Sequence, residues 1–260
     1  QEIADQFPKE IDGFNKLVEK ILSFDELSLD DKKTLSSRPI LESFIKNPIL
    51  IDMLNCPLMY YGNAREGDMD FYQFVIMFKS VFVEGFAKPV GGMPYILQLF
   101  EEKFKQLGGE LRMGSGVTSI NAENRTVESV TLENGEQLIA ENIISSMGYV
   151  ETLNHCAPTL KETEECETGQ VSFMESLCVV DREPRDLGYD KSIVFFSNQP
   201  RFDYKVPDEM INVTTGVLCC SNNFDYPEPM KEGLIRLTNL ADFAQWDTLP
   251  RKDYIAAKKH

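Results

Sequence analysis

The stretch Glu84-Gly-Phe-Ala-Lys-Pro-Val-Gly-Gly-Met-Pro94 divides a helical first third of the chain from a mixed remainder. Lys88-Pro-Val-Gly-Gly-Met93 reads as a turn, because proline fixes φ and paired glycines supply conformations that other residues resist. A helix is predicted directly after it, with Ile96, Leu97, Phe100, Phe104 and Leu107 on one face. Gly108-Gly109 stops that helix. Short strands are expected at Glu110 to Met113 and Gly116 to Asn121, followed by a hairpin. Its arms, Thr126 to Leu132 and Gln137 to Ile139, flank Asn134-Gly135, two residues that tolerate positive φ. Asn142 to Met147 is apolar enough to read as an internal strand.

Towards the start of the chain the pattern is helical from Glu2 to about Phe86, with Ile11, Phe14, Leu17, Val18 and Ile21 three and four residues apart. Ser43 to Leu54 reads as a short apolar helix around a proline break. Phe71, Phe74, Phe78 and Phe82 repeat at helical spacing, which favours a core face over the lining of a tunnel. Towards the end, an acidic break at Thr159 to Gly169 precedes strands at Phe173 to Asp181, Lys191 to Ser197, Ile211 to Ser221 and Leu234 to Thr238, and then a helix at Arg251. The expected fold is a mixed α+β or α/β arrangement in three segments. Residues 1–90 form a helical lid, 91–158 a central helix with a β-meander, and 159–260 a second mixed sheet.

Lys and Arg number 26 against 42 Asp and Glu, a net charge of -16, which disfavours nucleic acid and a polybasic membrane anchor. The most apolar segment, Phe71 to Phe86, is interrupted by Gln73, Lys79, Ser80 and Glu84 and is too short to span a bilayer. The six cysteines show no Cys-x-x-Cys spacing, so reduced thiols and a cytoplasmic location are expected. With only His155 and His260 present, a two-histidine metal site is not expected. Gly114-Ser-Gly116 is followed by a strand rather than a helix and does not form a dinucleotide fingerprint. P-loop, zinc-protease and serine-hydrolase motifs are absent.

The order of these elements resembles the middle of flavin-dependent oxidoreductases of the phytoene desaturase and carotenoid isomerase type, within the flavin amine oxidase superfamily. The resemblance rests on the Pro-Val-Gly-Gly-Met turn, the helix stopped by Gly108-Gly-Glu110, Val117-Thr-Ser-Ile120, the Asn-Gly hairpin and Ile143-Ile-Ser-Ser-Met147. It implies FAD as cofactor, with the β-meander belonging to a flavin domain whose pyrophosphate fingerprint would precede Gln1. The chain thus reads as the centre of a longer protein. Carried over residue by residue, the resemblance places the backbone of Val117 against the adenine and Ser146 and Met147 along the flavin. Met93 and Tyr95 would face the substrate, an apolar, isoprenoid-like small molecule. No general base stands out; Glu175 is the nearest candidate, and an isolated acid usually faces solvent. The acidic surface leaves membrane contact to an apolar patch. An amine oxidase, a cofactor-free module enclosing an apolar ligand and a scaffolding protein are the competing expectations.

Overall fold

The computed structural model describes residues 2–25, 35–63, 65–124, 126–158, 171–226 and 228–259. The acidic break expected at Thr159 to Gly169 falls outside them. The chain forms two compact units, one of Gln1–Val90 with Gly169–His260 and one of Gly91–Thr168.

The first unit opens with helices α1 (Glu2–Gln6), α2 (Ile11–Leu22), α3 (Ser37–Phe44), α4 (Pro48–Gly62) and α5 (Phe71–Phe78). The apolar run at Ser43 to Leu54 belongs to two helices, because Ile45 leaves helical geometry and Asn47 begins a new one. Pro48 needs no partner for a missing N–H in the first turn, and the Asn47 side chain accepts from the Ile49 N–H at 2.9 Å. Asp70 caps α5 through the Tyr72 and Gln73 amides. α3 is capped by a residue 30 positions away, since Asp68 Oδ1 accepts from the Arg38 N–H and from the Ser37 hydroxyl. α5 widens into a π-helical segment, Lys79–Glu84.

Leu17 and Ile21 of α2, Leu41 of α3, Leu50, Leu54 and Leu58 of α4, and Phe71, Phe74 and Phe78 of α5 meet in one core. Three of the four phenylalanines expected to face a core do so. Phe82 lies in the π-helical segment, where the residue count per turn changes, and stays 45% exposed against Phe78 at 5.0 Å.

Helices α2 and α3 approach closely at Gly13, where a Cβ would come within 2.1 Å of the Phe44 carbonyl oxygen. Gly13→Ala must force these helices apart and is expected to destabilise this unit by about 1–3 kcal/mol. Urea unfolding followed by the fluorescence of Trp246 measures it, and an unchanged midpoint would contradict the packing described.

The sheet of the first unit is antiparallel in the order β5-β8-β7-β6, with β5 at Ser172–Val180, β6 at Ile193–Ser197, β7 at Thr215–Cys220 and β8 at Gly233–Ala241. β8 runs three residues past the expected Thr238, because Asn239 is held inside the sheet by donating to the carbonyls of Thr215 and Asn212. Then come α8 (Phe243–Asp247), capped by Asp242, and α9 (Arg251–Ala257).

The second unit has α6 (Gly92–Gln106), β1 (Val117–Glu123), β2 (Thr126–Leu132), β3 (Gln137–Leu138), α7 (Tyr149–His155) and β4 (Cys156–Ala157). Its sheet order is β3-β2-β1-β4, and only the β1–β4 pair is parallel. The Asn134-Gly135 turn forms, with positive φ at Gly135 alone and the Asn134 side chain accepting from the Glu136 amide. Asn124, φ 50°, turns the β1–β2 hairpin. Two expected strands do not form. Glu110 to Met113 and Asn142 to Met147 have no paired neighbour among the described residues, and an extended segment becomes a strand only when another backbone satisfies its N–H and C=O groups. Ile144, read as internal, is 96% exposed.

No described helix is long and apolar enough to cross a membrane.

Candidate functional site

The residues nominated from the resemblance all lie on the second unit, in three places. Met93 and Tyr95 occupy the first turn of α6 and are largely exposed, with Gly91 at φ 89° setting the helix start. Ser146 and Met147 are exposed in the stretch that enters α7. The Ser145 hydroxyl lies 2.7 Å from that of Thr152, and Gly148, at φ 114°, precedes the helix. Val117 begins β1, half-buried and paired with Leu132, and a register irregularity separates it from Ser119. β4 joins β1 only at Ile120 and Asn121, so the Val117 end of β1 has a strand on one side alone. Among the described residues no strand pairs with its other edge.

This unit is unusually apolar outside. No residue of α6 is buried, and Leu97, Phe100, Phe104 and Leu107 are all exposed. Such a face on a helix normally lies against something.

In the first unit the chemistry gathers on α4 and the sheet. Asp52 is the single acid in the run Pro48-Ile-Leu-Ile-Asp-Met-Leu-Asn55, and it is buried. Arg38 Nη1 donates to Oδ1 at 3.1 Å, Arg201 donates through Nε and Nη2, and the Phe202 N–H reaches Oδ2 at 3.2 Å. Burial alone would raise the Asp52 pKa. The hydrogen bonds of Arg201 and Arg38 outweigh it and hold the carboxyl below the usual carboxylate range. The group is a fixed anion that ties α3, α4 and the 199–204 segment together.

One helical turn further along, Cys56 is buried, and desolvation with the nearby Asp52 charge pushes its thiol up to about 12. It stays protonated at neutral pH and is a poor nucleophile. Asn55 donates to the Ile51 carbonyl while its own Oδ1 finds no partner among the described residues.

Beyond these residues an aromatic cluster joins α4 to the sheet. Tyr60 meets Phe173, Phe195, Phe202 and Tyr204 with ring centroids 5.6–6.4 Å apart. The Tyr204 hydroxyl donates to the Asn63 carbonyl at 2.7 Å, which satisfies the one polar atom of a wholly buried side chain.

The sheet face that carries Phe195 continues past α4. In an antiparallel sheet, paired residues share a face, so Phe195, Val217, Thr238 and Glu175 form one row across the strands. Ile193, Cys219, Arg236 and Leu177 form the next. Tyr61 stacks edge-on to Phe195 at 5.7 Å and lies near Cys219 and Arg236 electrostatically. Burial raises its pKa, so the hydroxyl is a neutral hydrogen-bonding group. Glu175 is exposed, accepts from Thr238 at 3.2 Å and pairs loosely with Arg236 at 3.9 Å. It is a solvated cross-strand partner. His155 is likewise a helix-end residue whose Nδ1 lies 2.8 Å from the Glu151 carbonyl.

Sequence reasoning missed the Asp52 cluster, although a signal was present: one acid inside an apolar helical run has to be either exposed on a stripe or paired in the core. Two of the cavities among the described residues border this architecture. One of about 450 Å³ is walled by Phe173, Phe243, Trp246 and Tyr254. The other, of about 360 Å³, lies between α4 and β6 with Asp52 and Cys56 in its wall. Among the described residues no cluster of His, Cys, Asp or Glu is arranged to hold a metal ion, and the five described cysteines are free thiols.

No family model matches this chain. It is similar to 4,4'-diapolycopene oxygenase of Methylomonas sp, 26% identical over 208 residues. The similarity covers 76% of this chain and 39% of that protein, so the chain spans about two fifths of the length of the curated relative it matches.

Proposed function

We propose that this chain is part of an FAD-dependent oxidoreductase that acts on an apolar, isoprenoid-like substrate. The observation that carries the reading is the similarity over 208 residues to a protein named 4,4'-diapolycopene oxygenase. The motif order in residues 84–147 supports a flavin enzyme of the phytoene desaturase type, and the backbone edge at Val117, which no strand pairs among the described residues, fits a nucleotide ring. When bound, the flavin supplies the electron-accepting chemistry. The protein's own task is to bind and orient the substrate and to keep water away from it. The first unit is equipped for that by its aromatic cluster, its neutral Tyr61 hydroxyl and its protonated Cys56 thiol. A cytoplasmic setting accords with the free thiols of this reading.

The unburied face of α6 is the place where the rest of a flavin domain would pack. In this reading Met93 and Tyr95 contact the substrate, and Ser146 and Met147 contact the flavin.

The test uses the protein purified from the complete reading frame and mixed anaerobically with an acyclic carotenoid in detergent micelles. Bleaching of the flavin band on addition of the polyene is expected. Bleaching by amines alone would replace the reading with an amine oxidase, and no response to either would overturn it.

A further inference from the structure

We propose that the cavity between α4 and β6 is a binding site for the uncharged apolar end of a small molecule, of the size of a short isoprenoid unit. The identification of the ligand as isoprenoid rests on the function proposed above; its being apolar and uncharged rests on the cavity itself.

α4 inverts the usual pattern of a helix in a soluble fold. Its charged residue, Asp52, is buried, while Ile49 and Met53 are about half exposed. Ile49, Met53 and Pro57 are spaced four apart, so they form one stripe along the helix. That stripe faces Phe196, Pro200 and Phe202 across a cavity of about 360 Å³. Apolar side chains left open on both walls of a concavity mark a place where something apolar sits. The volume falls at the lower end of small-molecule sites, which span about 300–1,000 Å³. A helix, roughly 10 Å across, does not fit such a space.

The wall chemistry selects an uncharged ligand. Asp52 is the one charged residue among those that line the cavity, and Arg38, Arg201 and the Phe202 amide already engage its carboxylate. A cation finds that charge already engaged by two guanidinium groups, and an anion would have to leave water for a cavity whose remaining wall is mostly apolar. Cys56 contributes a neutral thiol. Ser197 and Gln199 supply polar groups that can bond a hydroxyl or carbonyl without charge.

Calorimetric titration of the complete protein with geraniol tests this, with geranic acid at neutral pH as the charged counterpart on the same carbon skeleton. Saturable binding of one geraniol per chain is expected, with geranic acid weaker by about tenfold or more. Met53→Arg places a guanidinium at the cavity wall from a position that is already half exposed, so the fold is retained. It is expected to weaken geraniol by about tenfold or more, while Met53→Leu restores binding and Phe243→Ala, in the other cavity, leaves it unchanged. Absence of saturation, equal binding by Met53→Arg, or a preference for the carboxylate would each overturn the assignment. The visible spectrum of the same samples separates the two proposals. Flavin without geraniol binding removes this site and leaves the oxidoreductase reading; geraniol binding without flavin does the reverse.

Discussion

Phe74→Ala is expected to destabilise the first unit by about 3–5 kcal/mol, the usual cost of deleting a buried phenylalanine ring when the surroundings collapse only partly. The ring is fully buried and stacks against Phe71 at 6.1 Å with an interplanar angle of 9°, and it meets Phe78 at 5.8 Å. It lies where α5 is pressed into the core shared by α2, α3 and α4. The chain has one tryptophan, Trp246, in this unit and 7% exposed, so its fluorescence reports the unfolding of this unit specifically. A loss below about 1 kcal/mol in a urea titration would mean that the phenylalanine row is not the centre of the core.

Asp52→Asn is the second large effect, about 2–4 kcal/mol. A wholly buried ion pair broken on one side costs about 3–5 kcal/mol, and the figure is reduced here because the half-exposed Arg201 side chain stays hydrated after the loss. The substitution also predicts a change in acid sensitivity. The native Asp52 carboxyl sits below its ordinary value because two arginines and an amide bond its charged form, despite the opposing effect of burial. A carboxyl depressed in the folded state contributes stability that is present above the unfolded value of about 3.9 and is lost as pH falls through the lower folded value. The native protein should therefore lose stability on acidification below about pH 4 more steeply than Asp52→Asn does. Melting temperatures measured across that range check it, and parallel curves would show that Asp52 titrates normally.

Local chemistry made several elements legible. Asn134-Gly135 fixed the β2–β3 hairpin, Thr126–Leu132 was bounded as found, and the glycines at 91–92 and 108–109 bracket α6 as expected. What failed depended on partners. Glu110 to Met113 and Asn142 to Met147 have strand-like residues, and an isolated extended segment still pairs with nothing. The end of β8 was underestimated because Asn239 looks like a turn residue until its amide is placed on the Thr215 and Asn212 carbonyls. The π-helical segment gave no sequence signal, and it is what takes Phe82 out of the core.

The site was less legible than the fold. Asp52 and Arg201 are 149 residues apart, and no periodicity links them; only the oddity of an acid in an apolar helix pointed to a partner. The row of Ile193, Cys219, Arg236 and Leu177 emerges from sheet register, which single-strand patterns do not specify. Val117 could be singled out by its motif, whereas the absence of a second strand beside it follows from the short β1–β4 pairing among the described residues.

The most direct test of the central claim is the visible absorption spectrum of the protein purified from the complete reading frame, recorded after gel filtration and again after dithionite. A flavin band that co-elutes with the protein and bleaches on reduction is the predicted result. A colourless, folded protein that stays colourless after incubation with FAD would contradict the account and leave an apolar-ligand-binding module in its place.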